Sequence, residues 1–217
     1  ALKLGAKVIS AENAMENTSA FKGETIEDTT KVLCIYADVL VIRHPVAGTL
    51  EKIEKVSTKV LINAGDGANQ HPSQGFLDLY TIKKEHKRLN NLNIAFGGDL
   101  LNSRTLRSLL PFLRFYEGNK FYFISPKELE LPGDFIKELK DSGVAFEELQ
   151  SLDEKIGEFD VLYMTRVQKE RFSDTDAYNK VKDLFILKKE HLNKMKSSAI
   201  IMHPLPKINE IELAVDE

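Results

Sequence analysis

Three arginines give the first indication of chemistry. The 217-residue chain has 30 Lys plus Arg, of which only seven are arginines, at 43, 88, 104, 107, 114, 166 and 171. Arg43 ends the β-rich run Asp38–Arg43. Arg104 lies in Ser103-Arg104-Thr105, shortly after the run Leu92–Phe96. Arg166 directly follows Asp160–Thr165. A guanidinium forks onto two carboxylate or phosphate oxygens, as a point-like ammonium does not. Three such forks at strand ends predict a substrate with several anionic groups. Each one alone reads equally well as a surface ion-pair residue.

His71-Pro72-Ser73-Gln74 follows the turn Gly65-Asp66-Gly67. Proline suits the first position of a helix, so His71 reads as its cap. The same place also suits a donor. Helix N-terminal amides favour an anion or a developing oxyanion, and an imidazole or a Gln amide donates to a carbonyl. His203-Pro204-Leu205-Pro206 cannot form regular structure, because proline removes backbone donors. Its carbonyls are left to accept from an amine or amide, or it is an ordinary loop. His44 and His86 lack metal-ligand spacing, and no metal or other cofactor is expected. Cys34 falls on a predicted helix face and reads as core.

These residues need a scaffold, and the sequence alternates strands with helices. Strands are predicted at Lys7–Ser10, Asp38–Arg43, Lys59–Ala64, Leu92–Phe96, Lys120–Ser125, Asp160–Thr165 and Ser198–Met202. Helices are predicted at Thr25–Tyr36, Ala47–Val56, Pro72–Arg88, Ser103–Tyr116, Pro132–Ser142 and Lys188–Lys196. Continuous Val/Ile/Leu runs mark strands buried on both faces. The pattern implies an α/β fold of two doubly wound parallel-sheet domains. The charged stretch Lys83–Asn91 separates them, giving domains 1–87 and 88–217. In such sheets ligands bind beyond the carboxyl ends of the strands, where the arginines lie.

Composition narrows the function classes. Net charge is −3, which argues against a general nucleic-acid binder. One cysteine excludes an intrachain disulfide and a multi-cysteine metal site. No apolar run approaches the ~20 residues of a membrane helix, and no signal peptide is visible. The expectation is a soluble cytoplasmic protein with no membrane partner.

The motifs in order resemble the aspartate carbamoyltransferase catalytic-chain family. They are Lys22-Gly23-Glu24-Thr25, Tyr36-Ala37-Asp38-Val39, Ile42-Arg43-His44-Pro45, Asn63–Gly67, His71–Gln74 with Leu77-Asp78-Leu79, and Gly98-Asp99-Leu100 with Ser103–Thr105. Asp160–Arg171 and His203–Pro206 follow. The resemblance implies a carbamoyl phosphate domain and an aspartate domain, in a homotrimer with active sites between subunits. It implies that Arg43, His71 and Gln74 bind carbamoyl phosphate, with His71 donating to the carbonyl oxygen. It gives Arg104, Arg166 and Gln168 to the aspartate carboxylates, and Pro204, Leu205 and Pro206 to the carbamoyl amide. Lys22 would reach a neighbouring subunit's site, accompanied by Ser19 or Thr18, with Ser19 preferred. His71, Lys22 and Arg43 would be the catalytic residues.

The family's Ser-x-Arg-Thr-Arg phosphate motif would lie before Ala1, and its last helices after Val215-Asp216. A chain of 24.5 kDa without them is expected to be inactive. A regulatory chain or fusion partner is compatible with the resemblance. Two other readings compete. Ornithine carbamoyltransferase shares the His-Pro-x-Gln turn, but Arg166 suits a dicarboxylate and repels a cationic acceptor. A non-catalytic assembly domain on the same fold is the second.

Overall fold

A computed structural model describes residues 1–11, 23–168, 172, 174–181 and 185–216. They form two compact units, Ala1–Gly67 and Ala68–Glu217.

In the first unit, helix α1 (Ile26–Tyr36) starts at a cap legible in the sequence. Thr25 is extended, and its Oγ1 accepts from the Asp28 N–H at 3.1 Å. Strand β1 (Val39–His44), helix α2 (Thr49–Glu54) and strand β2 (Val60–Asp66) follow. The strands pair in parallel from Val39↔Val60 to Ile42↔Asn63, then shift register so that His44 faces Asp66. Leu40, Leu50, Ile53 and Cys34 are buried, as expected for Cys34. Val39, Val41, Val60 and Ile62 are exposed.

Lys7–Ser10 is not a strand. These residues have no regular secondary structure, and Val8 and Ile9 are exposed. A strand needs a hydrogen-bonded neighbour, and no strand among the described residues pairs with it. Arg43 lies in β1, one residue before its end.

The second unit is built on a five-stranded parallel sheet. Its strands are β3 (Asn93–Gly98), β4 (Lys120–Ile124), β5 (Ala145–Leu149), β6 (Val161–Thr165) and β7 (Ile200–Met202), in the order β5-β4-β3-β6-β7. The chain winds outward from β3 to β5, then returns to β6 beside β3 and moves the other way. The order therefore reverses between β3 and β6, which is where such sheets open a crevice. The helices are α3 (Pro72–His86), α4 (Arg104–Leu113), α5 (Gly133–Asp141), α6 (Thr175–Val181) and the short α7 (Lys189–Leu192).

Side chains alternate across a strand, and both faces of this sheet are covered. Ile94, Phe96, Phe121, Phe123, Val161 and Tyr163 pack on one side with Leu106, Leu109 and Leu110 of α4. Ala95, Tyr122, Ile124, Leu162 and Met164 pack on the other with Leu152, Ile156 and Phe159. This accounts for the unbroken apolar runs at β4 and β6. Strand β5 was not predicted, because Glu147 and Glu148 interrupt it. Glu147 sits in an edge strand, 2.5 Å from Lys120 Nζ and 2.9 Å from Lys155 Nζ.

Two glycines are required for close approach. Gly98 ends β3 at φ 111°, and any Cβ there would run into the Thr165 backbone carbonyl of β6. Gly75 lets α3 lie directly on α4, since a Cβ would come within 2.8 Å of the Ser108 carbonyl oxygen. One residue on, the Phe76 and Phe112 rings stack at 4.4 Å.

Candidate active site

The loops after β3 and β6 meet at the reversal of strand order. Gly98 pairs with Thr165 across the two strand ends, so Asp99 and Arg166 leave the sheet side by side. Asp99 is fully buried and organises both loops. Its Oδ1 accepts from the Asn102 N–H at 3.0 Å, and its Oδ2 from the Gln168 N–H at 3.3 Å. Gln168 Nε2 donates to the Asn102 carbonyl at 2.9 Å. Burial pushes the Asp99 carboxyl up from its ordinary value. The Asn102 and Gln168 donors and the charge of Arg166 oppose that shift. Ser103 caps α4, its side chain accepting from the Leu106 N–H at 3.3 Å, and this sets Arg104 at the first helical position. Arg104, Arg166 and Gln168, predicted from widely separated segments, thus come together at one end of one sheet.

The start of α3 is tied to the same place. The His71 backbone N–H donates to Ser108 Oγ at 2.8 Å, and that hydroxyl donates to the Arg104 carbonyl at 2.9 Å. His71 is the cap of α3, its Nδ1 accepting from the Gln74 N–H at 3.3 Å. An accepting Nδ1 places the proton of the neutral ring on Nε2, which leaves Nε2–H as the donor edge. The cap and donor readings of His71 therefore coexist on one ring. Gln74 Nε2 donates to Asp78 Oδ1 at 2.9 Å, and Tyr163 Oη of β6 donates to Asp78 Oδ2 at 2.7 Å. Burial pushes both the Asp78 carboxyl and the Tyr163 hydroxyl up.

The loop after β7 carries Pro204, Leu205 and Pro206. His203 Nδ1 accepts from the Leu205 N–H at 2.8 Å, which folds the loop back on its own first residue. His203 Nε2 lies 2.8 Å from Glu210 Oε1, a close pairing off the ideal N–H direction, and both side chains are buried. Burial raises the Glu210 carboxyl, but His203 and the Ile208 amide more than reverse this, and it lies below its ordinary value. Leu205 itself is exposed and in the left-handed region, at φ 54°.

In the first unit, Arg43 is exposed near the end of β1. The turn after β2 is fixed by Asp66. Its Oδ2 accepts from the Gly48 N–H at 3.1 Å, and its Oδ1 from Asn63 Nδ2 at 3.2 Å. Gly67 must lack a side chain, since a Cβ would come within 2.6 Å of Pro45 O and Ala47 N. Lys22, Ser19 and Thr18 lie outside the described residues. Among the described residues, no group of three or more His, Cys, Asp or Glu is arranged to hold a metal ion. No helix there is long and apolar enough to cross a membrane.

Sequence reasoning missed Asp78, Tyr163, Asn102 and Glu210 as parts of the site. Asp78 had a legible signal, since Gln74 and Asp78 at i and i+4 share a helix face. Tyr163 had none, lying 85 residues from its partner.

Comparison with known proteins covers both parts of the chain. Residues 1–84 match the aspartate/ornithine carbamoyltransferase carbamoyl-P binding domain, and residues 90–217 match the Asp/Orn binding domain of the same family. The aspartate carbamoyltransferase catalytic subunit of Clostridium novyi is 47% identical over 217 residues, covering 100% of this chain and 70% of that protein. The catalytic subunit of Methanocaldococcus jannaschii aspartate transcarbamoylase superposes with a TM-score of 0.89 at 45% identity, over 100% of this chain and 70% of that one. The Trypanosoma cruzi aspartate transcarbamoylase, solved with carbamoyl phosphate and aspartate, gives 0.90 at 35% identity, over 99% of this chain and 70% of that one. Two successive domain matches, in the order the motifs require, and near-half identity along the whole chain have one reading: the chain belongs to the aspartate/ornithine carbamoyltransferase family.

Proposed function

We propose that this chain transfers the carbamoyl group of carbamoyl phosphate to the amine of L-aspartate, giving N-carbamoyl-L-aspartate and phosphate. The observation that carries this is the pair Arg104 and Arg166 at the reversal of strand order, with the start of α3 tied to the same loops through Ser108. Two guanidinium groups suit an acceptor with two carboxylates. They disfavour ornithine, whose side chain brings a second positive charge. The named relatives, aspartate carbamoyltransferases at 44–47% identity, support the same choice.

In this reading residues 1–87 serve carbamoyl phosphate and residues 88–217 serve aspartate. Arg43 and the Gln74 amide hold the donor, and the carbonyls at Pro204, Leu205 and Pro206 accept from its amide. Arg104, Arg166 and Gln168 hold the acceptor with its amine against the carbamoyl carbon. The amine attacks, the carbonyl oxygen gains charge, and His71 Nε2–H donates to that oxyanion. The tetrahedral intermediate then collapses: the C–O bond to phosphate breaks, and the departing phosphate takes up the proton that the amine nitrogen sheds. Positioning and charge stabilisation supply the rate. Lys22 and Ser19 would complete a neighbouring subunit's site in a cytoplasmic homotrimer that serves pyrimidine biosynthesis.

A bisubstrate analogue joining a phosphonate to aspartate tests the site without turnover. At 100 times its Kd, a ligand bound only by the folded protein adds about 2.7 kcal/mol of stability. The full-length protein should melt higher with the analogue. No shift in melting would favour a carbamoyltransferase-like domain kept for assembly.

A further inference from the structure

Resting on the proposed reaction, the donor site must recognise an amine on the acyl carbon. An amide side chain has two faces of opposite character. Its nitrogen donates and its oxygen accepts, and rotation by about 180° exchanges them with little change in shape. Whichever face Gln74 turns to the donor substrate decides whether it selects a donor or an acceptor there.

Asp78 removes that ambiguity. Each of its oxygens accepts from one donor, and Oδ1 takes the NH2 edge of Gln74, at 2.9 Å. The carbonyl on the other side of the amide then faces away from Asp78. Asp78 is itself fixed, since its second oxygen accepts from Tyr163 Oη at 2.7 Å. Both Asp78 and Tyr163 are buried, with Tyr163 fully enclosed in the core of the sheet. The chain of contacts runs from a β6 core residue, through a buried carboxylate, to one edge of a half-buried amide. Because the cap of α3 also involves the Gln74 backbone, the backbone and the amide of Gln74 are both held.

We propose that Asp78 is a positioning residue that sets acyl-donor specificity. By holding Gln74 with its carbonyl outward, it makes the site an acceptor for the –NH2 of a carbamoyl group. An acyl phosphate with a methyl group in that place leaves the Gln74 carbonyl unpaired. Buried polar groups left unpaired are the strongest source of discrimination between near-isosteric substrates.

Asp78→Asn tests this with almost no change of shape. The new amide accepts from Tyr163 through its oxygen and so turns its NH2 toward Gln74. Two NH2 groups cannot face each other, and Gln74 rotates to present its own NH2 outward. The measurement is kcat/KM for carbamoyl phosphate and for acetyl phosphate, with aspartate as acceptor, in the full-length enzyme and the variant. The ratio of the two should fall at least tenfold in the variant, chiefly through carbamoyl phosphate. An equal loss for both substrates, with the ratio unchanged, overturns the proposal and leaves Asp78 a packing residue. Where Asp78→Asn does not fold, Tyr163→Phe frees the carboxylate while keeping the ring. It should lower the ratio at least threefold, and an unchanged ratio again overturns the proposal. Absence of carbamoyl transfer in the unsubstituted enzyme would instead count against the proposed reaction.

Discussion

Replacing Arg166 with alanine is expected to lower kcat/KM for aspartate by about 10²–10³-fold, the loss typical of a charge-assisted pair that also positions a nucleophile. Arg166 leaves β6 at the reversal of strand order, and its charge already bears on the buried Asp99 beside it. A clamp on an aspartate carboxylate does two things. It holds the acceptor, and it fixes the direction from which the amine approaches. Both KM for aspartate and kcat should therefore suffer, whereas lost uniform binding would move KM alone. Arg166→Lys should recover little, because an ammonium cannot fork across a carboxylate. Steady-state kinetics with varied aspartate at saturating carbamoyl phosphate make the measurement. Unchanged aspartate kinetics would remove Arg166 from the site.

His71→Ala is expected to lower kcat by about 10²-fold, the usual cost of one oxyanion donor. The same ring caps α3, so alanine also costs about 1 kcal/mol of stability. The two roles separate by atom. Nδ1 serves the helix, accepting from the Gln74 N–H, and in the proposed reaction Nε2–H is the donor to the oxyanion. Asparagine is among the best cap residues but is too short to reach where Nε2 lies. His71→Asn should thus restore melting behaviour and leave kcat low. A variant with both restored would reduce His71 to a cap.

Much of this site was legible because its residues stand at strand ends, and strand ends are marked by the close of apolar runs. Arg104, Arg166 and Gln168 could be placed from β3 and β6, whose residues are buried on both faces and so read as unbroken hydrophobic stretches. His71 and Gln74 were legible from Pro72 at a helix start. What could not be read is what crosses between segments. Tyr163 looked like one more core aromatic in Val161–Thr165, and only the packing of α3 over β6 makes its hydroxyl the donor to Asp78. Asp99 had the appearance of a loop residue, yet it joins the loops after β3 and β6. Glu210 is one residue among several after β7 until the fold sets it against His203. The errors have the same origin. Val8-Ile9 has strand-like residues but no strand beside it. Phe146-Glu147-Glu148 looks unlike a strand because its charges are paired only after β4 and β5 are adjacent.

In the proposed reaction, two guanidinium groups at the β3/β6 reversal select a dicarboxylate acceptor for a carbamoyl group. Carbamoyl transfer by the full-length protein, with aspartate and ornithine compared as acceptors at equal concentration, tests it most directly. Turnover with aspartate and none above background with ornithine is the expected result. Preference for ornithine, or carbamoylation of neither, would contradict it.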